Sequence, residues 1–279
     1  MKTRVLTAII FGAVMLTGML INQYTAITLF AIITIGCLWE YMTLSLHNQP
    51  EYIRRFYTNA GVTMGFIPYI LSCGILYQPL DISKVFVLIL TLTLAILIIS
   101  LFFQAAQPFT LFGFITGAIF YIGIPFAIVP QLVVQNATFQ SHILLGLMLM
   151  TWANDSGAYL VGSRIGKHKL FERISPKKTW EGFFGGAIFS LIVATIMHLC
   201  TQTFFGTTWI IAGLMVAVFG TLGDLAESLF KRSLHIKDSG SFLPGHGGFL
   251  DRFDAFIFVL ATAGMYLLLQ AKLKKILKK

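Results

Sequence analysis

Charge is scarce in this sequence: 11% of its 279 residues are Asp, Glu, Lys or Arg, against about 25% in an ordinary soluble domain. That figure excludes a soluble globular enzyme. Cysteine is scarcer still. Cys37, Cys73 and Cys200 are odd in number, lie in or beside apolar runs and lack metal-ligand spacing, so they are read as inert packing. No internal repeat of fixed period is visible, which argues against an inverted-repeat transporter. Nor do apolar and polar residues alternate in segments of about 10, as a membrane barrel requires.

What is abundant is apolar. Hydrophobic residues make up 57% of the chain, 26 of them Phe, and the mean hydropathy is +0.82. At roughly 20 residues per crossing, the continuous runs predict an all-α polytopic membrane protein with about nine transmembrane helices. These fall at 5–22, 25–46, 59–77, 84–104, 109–134, 141–162, 182–203, 209–230 and 253–271. Pro125 and Pro130 predict a kink or break in the fifth, because proline removes an intrahelical hydrogen bond. Lys2 and Arg4 before an apolar stretch resemble a secretory signal, yet no cleavage site follows convincingly, so an uncleaved first helix is expected. The whole reads as one membrane domain, with scaffold helices over 1–140 and a catalytic region over 141–279.

The net charge of +9 does not point to nucleic acid, since the Lys and Arg residues sit at the ends of apolar runs rather than on one soluble face. They serve better as orientation signals and lipid-phosphate contacts. With the N-terminus inside, Arg54, Arg55 and the polar loops 163–181 and 231–252 fall on the cytoplasmic side. The tail lysines Lys272, Lys274, Lys275, Lys278 and Lys279 then fall outside, in conflict with the same rule.

Acids are nearly missing from the N-terminal half, so function is sought after residue 150. A carboxylate inside a bilayer costs about 2.5–3.5 kcal/mol at the helix centre and is tolerated when paired, hydrated or metal-bound. Asp155 precedes Gly162 by seven residues and Asp224 precedes Lys231 by seven, which places both about 10 Å below one surface. Two carboxylates at one depth can share a cation, or form two separately hydrated spots. Asp224, Glu227, Ser228 and Lys231, spaced i, i+3, i+4, i+7, share one face of an apolar helix and predict a cavity there. Gly220 and Gly223 beside them permit close approach of a neighbour.

The next loop is denser. Lys231, Arg232 and Lys237 lead to Pro244-Gly245-His246-Gly247-Gly248, and then to Asp251, Arg252 and Asp254 at the start of the last helix. A glycine-rich turn before a helix can aim backbone amides at phosphate, and Asp251 and Asp254, three apart, are expected to face the same way. In the earlier loop, Ser175 or Thr179 can cap a helix whose N-terminus lies beside Lys177 and Lys178.

The stretch Ser228-Leu229-Phe230-Lys231-Arg232, Lys237-Asp238-Ser239-Gly240 and Leu243-Pro244-Gly245-His246-Gly247-Gly248-Phe249-Leu250-Asp251-Arg252-Phe253-Asp254 resembles the signature of the CDP-diacylglycerol synthases, or phosphatidate cytidylyltransferases. Asn154-Asp155-Ser156, the segment from Ser175 to Gly182, and Gly223-Asp224-Leu225-Ala226-Glu227-Ser228 resemble further motifs of that family in the same order. The resemblance implies that CTP and phosphatidate react to CDP-diacylglycerol and pyrophosphate, with magnesium, at the cytoplasmic face of the inner membrane.

On that basis Asp224, Asp251 and Asp254, together with Asp155, are expected to hold one or two metal ions. Oxygen ligands suit magnesium, and no Cys and His set is present for zinc. Lys231, Arg232, Lys237 and Arg252 are expected to clamp phosphates, and Lys177 and Lys178 the nucleotide or lipid head group. The turn of Gly245, His246, Gly247 and Gly248 should contact the triphosphate, with His246 preferred as a hydrogen-bond donor over a base. Glu227 and Ser228 should line the cavity. The expected partners are CTP, phosphatidate and the bilayer, with a homodimer left open and no nucleic acid. An ion-coupled transporter using Asp155 and Asp224 is the main rival, and it leaves the glycine turn unexplained.

Overall fold

In lipid an apolar segment must satisfy its backbone hydrogen bonds internally, and a helix does so locally. The computed structural model describes residues 2–76, 82–102, 107–135, 137–201, 204, 207–237, 239–240 and 247–277, and it places a helix at each expected position. These are α1 (Lys2–Leu20), α2 (Gln23–Ser45), α3 (Glu51–Ile75), α4 (Ile82–Ser100), α5 (Pro108–Val133), α6 (Ser141–Ile165), α7 (Trp180–Cys200), α8 (Thr208–Ser233) and α9 (Leu250–Ile276). Five of them, α2, α5, α7, α8 and α9, are long and apolar enough to cross a membrane by length and composition. The expected count of about nine crossings is therefore carried for five helices only. The apolar stretches described in α1 and α4 are shorter, Thr7–Leu20 and Val87–Ser100, and α6 is interrupted by Asn154, Asp155 and Arg164.

The outward faces are apolar: Ile98, Ile188 and Ile196 are each more than half exposed, at 59%, 57% and 51%. Surfaces of that kind need hydrocarbon as solvent, and the chain is an integral membrane protein. Inside, Phe30 of α2, Phe126 of α5 and Phe253 and Phe256 of α9 form an aromatic cluster with ring centroids 5.9–6.4 Å apart. It ties the N-terminal helices to the last one.

The all-α character expected from the sequence agrees with the structure, in which two short antiparallel hairpins pair β1 (Val134–Gln135) with β2 (Thr138–Phe139) and β3 (Lys169–Phe171) with β4 (Ser175–Thr179). Both lie between helices, where water can satisfy their free edges. The polar loops are shorter than expected, since α6 runs on to Ile165 and α8 to Ser233. Lys231 and Arg232 thus ride on a helix. Around Pro125 the ladder resets through a π-helical stretch, Ala118–Gly123, because the proline has no N–H for the carbonyl of Tyr121.

Helices α6 and α7 pack most closely. A Cβ on Gly162 would lie 3.3 Å from Cα of Gly182, and one on Gly182 would lie 2.9 Å from the carbonyl oxygen of Ala158. Small residues at this seam let the two backbones nearly touch. Similarly, a Cβ on Gly223 of α8 would lie 2.7 Å from the carbonyl oxygen of Asp254 on α9. The second contact brings Asp224 and Asp254, on separate helices, within Coulombic range of one another.

Candidate active site

The polar stripe of α8 has two destinations. Asp224 borders a cavity of about 590 Å³ between α6, α7, α8 and the β3–β4 hairpin, whose lining includes Asp155, Lys169, Lys177, Lys178 and Asn154. Asp155 and Asp224 border this same cavity. Lys178 Nζ sits 2.7 Å from Asp224 Oδ2 and within Coulombic range of Asp155. The hydroxyl of Ser228 donates to Asp224 Oδ1 at 3.3 Å.

Local sequence builds the lysine side of the cavity. Strand β4 delivers Lys177 and Lys178 and ends at Thr179, whose hydroxyl oxygen accepts the Gly182 amide at 3.1 Å and caps α7. Of the two residues expected to cap, Thr179 does so and Ser175 lies in the strand. Glu181, in the first turn of α7, accepts the amides of Lys167 and His168 at 3.1 and 3.2 Å and contacts His168 Nδ1 at 2.6 Å. These bonds pin the hairpin to the helix. Lys177 and Lys178 are therefore held at the rim by backbone rather than by their own flexible chains.

The other half of the stripe turns inward. Glu227 is fully buried, and Lys231 lies between its carboxylate, at 2.5 Å, and Asp251 Oδ1, at 2.7 Å. Asp251 is saturated: besides Lys231, its Oδ2 accepts the amides of Ser239 and Gly248, each at 2.9 Å. The expected roles of Lys231 as a phosphate clamp and Asp251 as a metal ligand meet a different arrangement, since each already neutralises the other.

Asp251 and Asp254 do not act as a pair. Three residues apart, they point about 60° away from one another around the helix axis. Asp251 faces Lys231, whereas Asp254 lies within Coulombic range of Asp224, Asp155 and Glu227. Asp254 Oδ1 also accepts the Ala255 amide at 2.7 Å. The glycine turn differs as well. Gly247 has φ +84°, a left-handed conformation natural to glycine. The neighbouring amides of Gly248, Phe249 and Leu250 donate to protein carboxylates, not to an open anion site. Gly245 and His246 lie outside the described residues. Arg232, Lys237 and Arg252 are exposed, Arg232 donating to the Ile236 carbonyl at 3.0 Å, and none of the three lines the cavity.

One residue escaped the sequence reading. Glu40, on α2, accepts the amides of Phe249 and Leu250 at 2.9 Å and the hydroxyl of Ser239 at 3.0 Å. A lone carboxylate in an otherwise apolar run carried the signal, by the same desolvation argument applied to Asp155 and Asp224.

For a metal, Asp155, Asp224 and Asp254 offer oxygen donors within Coulombic range of one another, and hard divalent cations take such donors. The set fits magnesium by donor chemistry. Among the described residues, no three His, Cys, Asp or Glu side chains already converge on one point. Lys178 supplies the positive charge beside Asp224.

The sequence profile described as the cytidylyltransferase family matches residues 2–270. A protein of Bacillus subtilis (strain 168) named phosphatidate cytidylyltransferase is 43% identical over 176 residues, 63% of each chain. Proteins of the same name from Staphylococcus aureus (strain COL) and Staphylococcus haemolyticus are 46% and 50% identical over 158 and 129 residues. Those matches cover 56% and 46% of this chain and 59% and 49% of the relatives. The chain thus spans about half to three fifths of the length of these curated relatives.

Proposed function

This chain belongs to the cytidylyltransferase family, and from that premise we propose that it transfers CMP from CTP to phosphatidate, giving CDP-diacylglycerol and pyrophosphate. The observation that carries the reading is the cavity beside α6 and α8, which sets Asp155 and Asp224 against Lys169, Lys177 and Lys178. Such a site is suited to bringing two polyanions together.

In this reaction a phosphatidate oxygen attacks the α-phosphorus of CTP, and the bond from that phosphorus to the bridging oxygen breaks to release pyrophosphate. A phosphate monoester is mostly ionised near pH 7, so the nucleophile needs no strong base. The obstacle is repulsion between anions that must also be aligned. Lys177 and Lys178, fixed on β4, reduce that repulsion at the rim. Magnesium held by Asp155, Asp224 and Asp254 would supply further charge neutralisation. Lys231 and Asp251, which hold each other, keep the start of α9 in place so that Asp254 stays beside Asp224. Exposed Arg232, Lys237 and Arg252 are suited to drawing nucleotide from solution.

In the same reading the hairpin and the polar ends of α8 and α9 face the cytoplasm, and α1, α3, α4 and α6 cross the bilayer along with the five apolar helices. Lipid reaches the cavity along Tyr159 and Phe183, which share its lining.

The test is direct. Protein purified in detergent is given labelled CTP, phosphatidate and magnesium, and CDP-diacylglycerol and pyrophosphate are scored. Product should form and should fall by at least about 100-fold in Asp224→Asn, as for loss of one electrostatic contact in a transition state. Equal product from wild type and Asp224→Asn would remove the cavity from the reaction, and no product from wild type would end the reading.

A further inference from the structure

The carboxylate of Glu40 crosses from the N-terminal half of the chain to the helix that carries Asp251 and Asp254. Its partners lie at the start of α9 and in the segment before it: Phe249 N and Leu250 N, both at 2.9 Å, and Ser239 Oγ at 3.0 Å. The amides that open a helix have no partner within it, and an anion placed there gains from both the hydrogen bonds and the dipole. Residues Asn, Ser or Thr next to the helix usually do this locally. Here the cap comes from a sequence separation of 209 residues, so it fixes the position of α9 against α2 as well as its first turn.

The chain closes tightly around this carboxylate. A Cβ on Gly240 would lie 2.7 Å from Glu40 Oε1, and one on Gly248 would strike both Glu40 oxygens and lie 2.5 Å from Ser239 Oγ. Ser239 is shared with the next acid: its hydroxyl oxygen accepts the Asp251 amide at 3.3 Å, and its own amide donates to Asp251 Oδ2 at 2.9 Å. Glu40, Ser239, Asp251 and Lys231 are therefore one continuous set of contacts.

We infer that Glu40 is a positioning residue for the nucleotidyl transfer. By clamping the start of α9 it sets the height and rotation of Asp254, one turn further along. By filling the helix N-terminus with the protein's own negative charge, it directs substrate phosphates away from that terminus and toward Lys177 and Lys178. The inference rests on the transfer reaction proposed above.

Glu40→Gln tests it, because glutamine keeps the shape but offers one accepting oxygen and turns an NH2 toward a backbone N–H. Hydrogen exchange of a peptide covering residues 247–254, in detergent and without substrate, should quicken about tenfold at the Phe249 and Leu250 amides, with other helices unchanged. In the transfer assay kcat per folded protein should fall about tenfold or more, while KM for CTP and for phosphatidate moves less than about threefold. Ser239→Ala should lower kcat less, and adding it to Glu40→Gln should cost less than the product of the two effects, since both act through one set of contacts. Unchanged exchange in Glu40→Gln would overturn the clamp. Released amides with a wild-type kcat, or a rate loss that only tracks loss of folded protein, would overturn its role in transfer. The exchange measurement needs no turnover, so a wild-type protein that makes no CDP-diacylglycerol would count against the proposed reaction and leave the clamp to be judged by exchange.

Discussion

Replacing Lys231 with Met should destabilise the protein more than any other single change at the α8–α9 contact. The Lys231 side chain is 12% exposed, and its ammonium group stands between Glu227, with a side chain 0% exposed, and Asp251, at 10%. Methionine fills the same space and removes the charge. Asp251 would keep its two amide donors, whereas Glu227 would lose its ion-pair partner in a fully buried place. Removing one member of a buried ion pair costs about 3–5 kcal/mol, mostly through the charge left behind. For a chain of this size that corresponds to a fall in Tm on the order of 10 °C. Thermal unfolding in detergent, followed by light scattering or an intrinsic tryptophan signal, measures it. The decisive control is Glu227→Gln with Lys231→Met, which removes the stranded charge and should recover more than about half of the loss. A single variant as stable as wild type, or a double variant no better than the single, would refute the claim that Lys231 serves chiefly to neutralise buried carboxylates.

Lys178→Met should behave in the opposite way. Its ion pair with Asp224 is partly exposed, 24% and 36%, so Tm should move by less than about 1 kcal/mol equivalent, while KM for CTP rises roughly tenfold in the transfer assay. Thr179→Ala removes the cap of α7 and should cost about 1 kcal/mol, read as a lower unfolding midpoint. Gly223→Ala places a Cβ 2.7 Å from the Asp254 carbonyl oxygen and 3.1 Å from Ala255 Cα. Backbone atoms cannot yield as a side chain does, so α8 and α9 must separate at a cost of about 1–3 kcal/mol, and activity should fall further than stability predicts. Chelation of divalent cations should abolish transfer and added magnesium should restore it. Retained activity in excess chelator would separate Asp155, Asp224 and Asp254 from any metal role.

Much of the helical layout was legible because lipid imposes a local rule. Each apolar run must close its own hydrogen bonds, so composition over about 20 residues suffices to place α2, α5, α7, α8 and α9. The cap of α7 was legible as Ser175 or Thr179, because an N-cap is settled within a few residues, and the structure decides for Thr179. The β3–β4 hairpin was not, because outside the lipid that rule lapses and charged residues such as Lys169 and Lys177 carry no strand signal of their own. Lys231 and Asp251 looked like a phosphate clamp and a metal ligand when read one at a time. Their mutual neutralisation depends on where α9 begins relative to the end of α8.

The sequence by itself determined a helical membrane protein with its acids and bases gathered late in the chain, and it named nearly every charged group now found near the cavity. Tertiary structure decided which of them meet. The rotation of each helix about its axis, fixed by contacts as close as Gly162 with Gly182 and Gly223 with Asp254, turned Asp224 toward Lys178 and Lys231 toward Asp251. The same packing carried Glu40 across 209 residues to Phe249. Helix formation is a local balance of hydrogen bonds, but partner choice among charges is set by burial between helices, which no short window of sequence contains.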